Sequence, residues 1–201
     1  MKHIKCIIDD HIKSYGIREN IPQKALRILF NQGLYDECIW EILKHYNLPV
    51  KLRVVKGSVK GSVAHIGIPE PMPIYPSEAF KNYRFVLTYD KENSLSSFER
   101  FIFTTAHEIG HILLFGTCNT HKRSEKATDL IAMVMGYDIF YKEFREQIIV
   151  YKESFYNVVT ASHSGYLTDE ETRFALTYLR RIRRYTKWKQ FFTKIKNRFF
   201  K

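Results

Sequence analysis

Cysteine is scarce: Cys6, Cys38 and Cys118 are the only three in 201 residues, and no CxxC pair occurs. An odd number of widely spaced thiols excludes a disulfide framework and predicts a reducing compartment, the cytoplasm by default. No apolar run reaches the roughly 18 residues of a membrane-spanning helix, so no transmembrane segment is expected. The apolar stretch near the N-terminus is cut short by Asp9 and Asp10, and no small-residue cleavage site follows, which speaks against a secretory signal. Internal repeats and low-complexity linkers are missing as well. The most local absence is of negative charge: from Arg173 to the end there is no Asp or Glu, against eleven Lys and Arg. Those eleven equal the whole formal net charge of +11, so the part before them is close to neutral.

What is present describes a chain with a core. Hydrophobic residues make up 45% and aromatic residues 15%, which excludes disorder for most of the length. Up to about His45 the apolar residues (Ala25, Leu26, Leu29, Phe30, then Ile39 and Leu43) recur at helical spacing, with a break over 31–33 and an end at Asn47 and Pro49. Short β-like runs follow at 51–55, 62–68 and 83–89, with Gly57 and Gly61 marking a turn between the first two. Four prolines between Pro69 and Pro76 require an extended loop. A capping box, Ser96 with Glu99, then opens a helix that Gly116 can end. A second helix starts near Ser124, and the chain reads as helical again beyond Tyr137, with Gly136 able to kink or stop it. Thr168 with Glu171 forms another capping box before a long amphipathic helix whose opposite face is basic.

The expected class is α+β: a small, mainly antiparallel sheet packed against an active-site helix, with helical N- and C-terminal segments. The expected division is an N-terminal helical segment over 1–34, a central domain over 35–150, and a basic helical extension over 151–201.

Chemistry concentrates at His107-Glu108-Ile109-Gly110-His111, an HExxH motif inside a predicted helix. With 3.6 residues per turn, His107 and His111 share one face and can reach a single zinc ion at roughly 2.0–2.1 Å. Glu108 then lies beside the ion, placed to take a proton from a water whose pKa the metal lowers to about 7. A third ligand leaves one position open for water, and Glu125 on the next predicted helix supplies it. Asp129, one turn on, can reach the far nitrogen of a ligand histidine, fixing its tautomer. His121, in a predicted loop near the site, is the alternative third ligand, and Cys118 is a further one. The three-histidine motif HExxHxxGxxH is excluded, because Leu114 and Thr117 stand at its Gly and last His positions. An oxyanion-stabilising residue is not marked; His163 and Tyr166, in a predicted loop, are weak candidates. The 83–89 run, read as a sheet edge, could bind an extended substrate by strand addition.

At these residues the chain resembles the ImmA/IrrE family of small zinc metallopeptidases. The stretch FTTAHEIGHILL over 103–114 is similar to the family's FTxAHExGHxLL helix, and Glu125–Ala132 is similar to its ExEANxFA segment. Glu125 falls on the family's acidic ligand position and Asp129 on its Asn. Ile102, Ala127 and Gly136 stand where the family has Arg, Glu and Pro, and no helix-turn-helix accompanies the motif. The resemblance covers roughly 35–140. It implies a zinc-dependent endopeptidase that cleaves a protein regulator, commonly a helix-turn-helix repressor of a mobile element or stress response.

The basic C-terminal helix suggests a second class of partner, a polyanion such as nucleic acid or an anionic membrane surface. The competing expectation is therefore a regulatory or binding module, for example a toxin–antitoxin component, that keeps a zinc site while the tail makes the contact. An intact Glu108 favours the enzyme, since a pure binder needs no general base.

Overall fold

Three helices open the chain: α1 (Lys2–Tyr15), α2 (Gln23–Asn31) and α3 (Tyr35–Tyr46). The break expected over 31–33 is there, and α3 ends where Asn47 turns left-handed at φ 55°. Strands β1 (Lys51–Lys56) and β2 (Ala64–Ile66), a short helix α4 (Glu78–Asn82) and strand β3 (Arg84–Tyr89) follow. Then come α5 (Phe98–Gly116), α6 (Glu125–Ala132), a turn (Met133–Tyr137) kinked at Gly136, where φ is 97°, and α7 (Asp138–Arg145). Strands β4 (Glu146–Glu153) and β5 (Tyr156–His163) and the long α8 (Asp169–Phe199) complete the order. This computed structural model describes all residues except 58, 60–63, 91–96, 154–155 and 200–201, and leaves aside the side chains over 146–163 and 190–199. No helix among the described residues is long and apolar enough to cross a membrane.

The α+β class is as expected, but the three-stranded sheet is mixed instead of mainly antiparallel. Its order is β1-β3-β2, with β1 parallel to β3 (Leu52 opposite Phe85) and β2 antiparallel to it (Ile66 opposite Leu87). β3 is therefore the middle strand and not the edge that the 83–89 run was expected to form; β1 and β2 are the edges. Gly57 does not lead into a hairpin, because β1 and β2 each pair with β3 and not with each other. Gly61 lies outside the described residues. Along β3, Phe85, Leu87 and Tyr89 are buried while Arg84 and Val86 are exposed, the alternation of a sheet with one covered face.

The cover on that face is α5, which is buried on nearly every side and packs against α3, α6, α7 and β2. A helix so apolar must be surrounded. Its N-cap is Ser97, whose side chain accepts from the Arg100 N–H at 3.0 Å. The expected cap, Ser96, lies outside the described residues. Glu99, in the first turn, reaches across to Arg27 at 2.6 Å. Gly110 lets α6 approach closely, since a Cβ there would meet Ile131 Cγ2 at 3.0 Å.

Beyond Arg145 the helical expectation fails: β4 and β5 form an antiparallel pair, Val150 opposite Val159. The runs around Ile148–Val150 and Val158–Thr160 are β-branched, which favours strands over helix. The final helix begins only at Asp169, and its capping box forms in full: Thr168 N–H donates to Glu171 at 2.8 Å and Glu171 N–H to Thr168 Oγ1 at 3.2 Å. Arg183 secures α8 to the body. It is 9% exposed and donates to Asp138 Oδ2, the Met133 carbonyl and the Arg18 carbonyl. One of the eleven tail cations is thus a buried anchor, and Lys187 pairs with Glu19 at 2.8 Å.

Candidate metal centre

One turn of α5 places the His107 and His111 rings 4.9 Å apart, nearly perpendicular. α6 brings Glu125 to them because Ser124 caps its first turn, accepting from the Ala127 N–H at 3.3 Å. Glu125 Oε2 then lies 3.0 Å from His107 Nε2 and 3.4 Å from His111 Nε2. The three donor atoms all fall within 4.8 Å of one another. Donors around a tetrahedral zinc, at bonds of about 2.0–2.1 Å, are separated by roughly 3.4 Å, so this spacing fits one ion.

Hydrogen bonds behind the ligands set the tautomers that ion would need. His107 Nδ1–H donates to Asp129 Oδ1 at 2.8 Å, which turns Nε2 toward Glu125. Asp129 is fully buried, and its other oxygen accepts from the Tyr141 hydroxyl at 2.9 Å and the Tyr166 N–H at 2.8 Å. Thr128 donates its hydroxyl proton to the Ser124 carbonyl at 3.2 Å, leaving its oxygen 3.4 Å from His111 Nδ1 to accept there. Each histidine thus has Nδ1 engaged and Nε2 facing the shared point. Two imidazole nitrogens and a carboxylate oxygen are donors suited to a divalent transition ion.

Charge in the group is coupled. Burial alone would favour neutral His107, but its hydrogen bonds to Asp129 and Glu125 outweigh that and raise its pKa to about 10. The bonds to His107 and His111 hold Glu125 well below the usual carboxylate range. Glu108 moves the other way. It is 8% exposed, and burial raises its pKa against the opposing pull of His107, His111 and the Ile66 N–H. That N–H donates to Glu108 Oε2 at 2.9 Å, tying the carboxylate to the end of β2.

A cleft of about 610 Å³ opens beside the group, lined by 64–68, Glu108, His111, Glu125 and Tyr166. Phe115, Lys122 and Arg123 complete its lining. Comparison of the chain with protein-family models, curated proteins and solved structures returns no match.

The structure therefore brings together His107, His111, Glu125, Glu108 and Asp129. His121 is turned away, its Nε2 lying 3.5 Å from Asp10 Oδ2 on α1, and Cys118 is exposed with φ 52° outside the donor group. Tyr166 stacks on the His107 ring at 5.8 Å, and the side chain of His163 lies outside those described. Sequence reasoning missed Thr128, Tyr141 and the Ile66 amide. Thr128 had a signal, three residues past Glu125 on the same helix. Tyr141 had none, because its contact with Asp129 depends on the turn at Met133–Tyr137.

Proposed function

We propose that the chain is a zinc-dependent endopeptidase with Glu108 as general base. The observation that carries this reading is the buried Glu108 carboxylate of raised pKa, held beside the His107–His111–Glu125 group and open to the cleft. A site that only bound metal would gain nothing from burying an extra carboxylate there, which costs desolvation. The resemblance to the ImmA/IrrE family supports the same reading and suggests the substrate class, a regulatory protein such as a helix-turn-helix repressor.

When bound, zinc supplies Lewis acidity that lowers the pKa of a water to about 7 and polarises a carbonyl. Glu108 takes the proton from the attacking water and delivers it to the departing amine, so its pKa must lie nearer neutrality than that of an exposed carboxylate. The Ile66 N–H keeps the carboxylate aimed while it changes charge. β2 is an edge strand on the cleft wall, and an extended substrate can pair with it as an added strand. The hydroxyl of Tyr166, which lines the same cleft and stacks on His107, is the group we assign to the developing oxyanion.

Glu108→Gln keeps an acceptor for Ile66 and should leave metal content unchanged while hydrolysis of a mixed peptide library, read by mass spectrometry, falls by about 10²-fold or more. Cleavage at the wild-type rate would refute the assigned base. The second reading, a binding module, is favoured by the exposed Arg180, Arg181 and Arg184 on α8 beside Tyr185 and Trp188, which are 71% and 65% exposed. It predicts no cleavage by either form but retention on an anionic resin.

A further inference from the structure

Away from the cleft, α1 carries His3, Cys6 and Asp10, spaced three and four residues apart and so aligned along one stripe of the helix. The loop before α6 sets His121 against that stripe. Asp10 Oδ2 lies 3.5 Å from His121 Nε2, and it accepts from the Cys6 thiol at 3.8 Å. The His3 and His121 rings meet edge to face with centroids 6.5 Å apart. Behind His121 packs the fully buried His11, also edge to face at 6.3 Å, its Nε2–H held by the Ala127 carbonyl at 3.1 Å.

Donors around a tetrahedral ion with bonds of 2.0–2.3 Å lie roughly 3.3–3.7 Å from one another. Both separations measured at Asp10 are close to that range. Among the described residues, the three donors of the cleft are the group that already lies wholly within 4.8 Å. Completing the set at Asp10 asks for side-chain rotation at Cys6 and His3, and both residues are on the surface.

We propose that Cys6, Asp10 and His121, with His3 as the fourth donor, form a second metal site for a borderline transition ion such as zinc. A thiolate with imidazoles and one carboxylate is a poor set for magnesium or calcium, which take oxygen, and a good one for zinc or cobalt. Binding deprotonates the Cys6 thiol and replaces its hydrogen bond to Asp10 with two metal bonds. The ion joins α1 to the loop that continues through Lys122 and Arg123, which line the cleft, to Ser124, the cap of α6. The site is independent of the peptidase reading.

Cobalt titration of the metal-free full chain tests it, because a thiolate ligand gives a near-ultraviolet charge-transfer band that the cleft donors cannot produce. The wild type should bind two cobalt ions per chain and show the band. Cys6→Ser and His121→Ala should each reduce the stoichiometry to one and remove the band, whereas Cys118→Ser should keep both. His107→Ala should lose the other ion and retain the band, which separates this site from the cleft. Binding of one ion without the band, or a band that survives Cys6→Ser, would overturn the proposal.

Discussion

Asp129 is where the account is most exposed to a single substitution. Its two oxygens satisfy three donors, His107 Nδ1–H at 2.8 Å, the Tyr141 hydroxyl at 2.9 Å and the Tyr166 N–H at 2.8 Å, with no access to water. Asp129→Ala leaves all three without an acceptor. A buried orphan costs about 1–3 kcal/mol, and water entering the space recovers part of it, so about 3–5 kcal/mol in total is expected. At roughly 2–4 °C per kcal/mol for a chain of this size, Tm should fall by about 6–20 °C. Freed from its acceptor, His107 also loses its fixed tautomer, and metal affinity should drop about 10–100-fold. Asp129→Asn separates the two effects. Its single oxygen can face either His107 or the Tyr166 N–H, so one donor must meet an N–H, at a cost of about 1–3 kcal/mol. Thermal unfolding in a chelator reads stability, and competition against a chromophoric chelator reads metal affinity. Unchanged values of both in Asp129→Ala would refute the argument that Asp129 organises the ligand face.

Three further outcomes follow from other parts of the molecule. Gly136 sits at φ 97° with the Glu19 carbonyl oxygen 2.3 Å from where a Cβ would be, so Gly136→Ala should cost more than about 2 kcal/mol in urea unfolding; a loss below about 0.5 kcal/mol would show that the turn relaxes freely. In the metal-free protein His107 has a folded pKa of about 10 against an ordinary 6.5, so its contribution to stability is full below pH 6.5 and lost as pH rises through 10. Tm of the chelated protein should therefore fall across that window, and zinc addition near pH 8 to the Cys6→Ser protein, which lacks the α1 thiol, should release about one proton; a flat Tm and no proton release would contradict it. Deleting the chain after Tyr185 keeps the Arg183 anchor, so metal content should hold while retention on heparin at low salt weakens; equal retention would end the polyanion argument for the tail.

Much of the site was legible because its spacing is local. His107 and His111, and Glu125 and Asp129, are pairs four residues apart, and helical periodicity alone puts each pair on one face. The cap at Thr168 was equally readable, since a cap bonds within its own turn. The sheet order was not readable: nothing in 83–89 says whether that strand ends between two neighbours or beside one, because pairing is decided by distant segments. The same holds for Tyr141, and for the Ile66 amide, a backbone group that no residue type announces. The β4–β5 pair is a different kind of miss, since its β-branched runs carried a strand signal that the helices on either side obscured. Arg183 was read as one of many surface cations, and only packing shows it to be a buried anchor.

The central claim is that His107, His111 and Glu125 hold one ion for Glu108 to work beside. Elemental analysis of the purified Cys6→Ser protein and of the same protein carrying Glu125→Ala tests this directly, with the α1 site removed from both. One zinc per chain is expected in the first, lost or sharply reduced in the second. No zinc in the first even after incubation with the ion, or equal zinc in both, would contradict it.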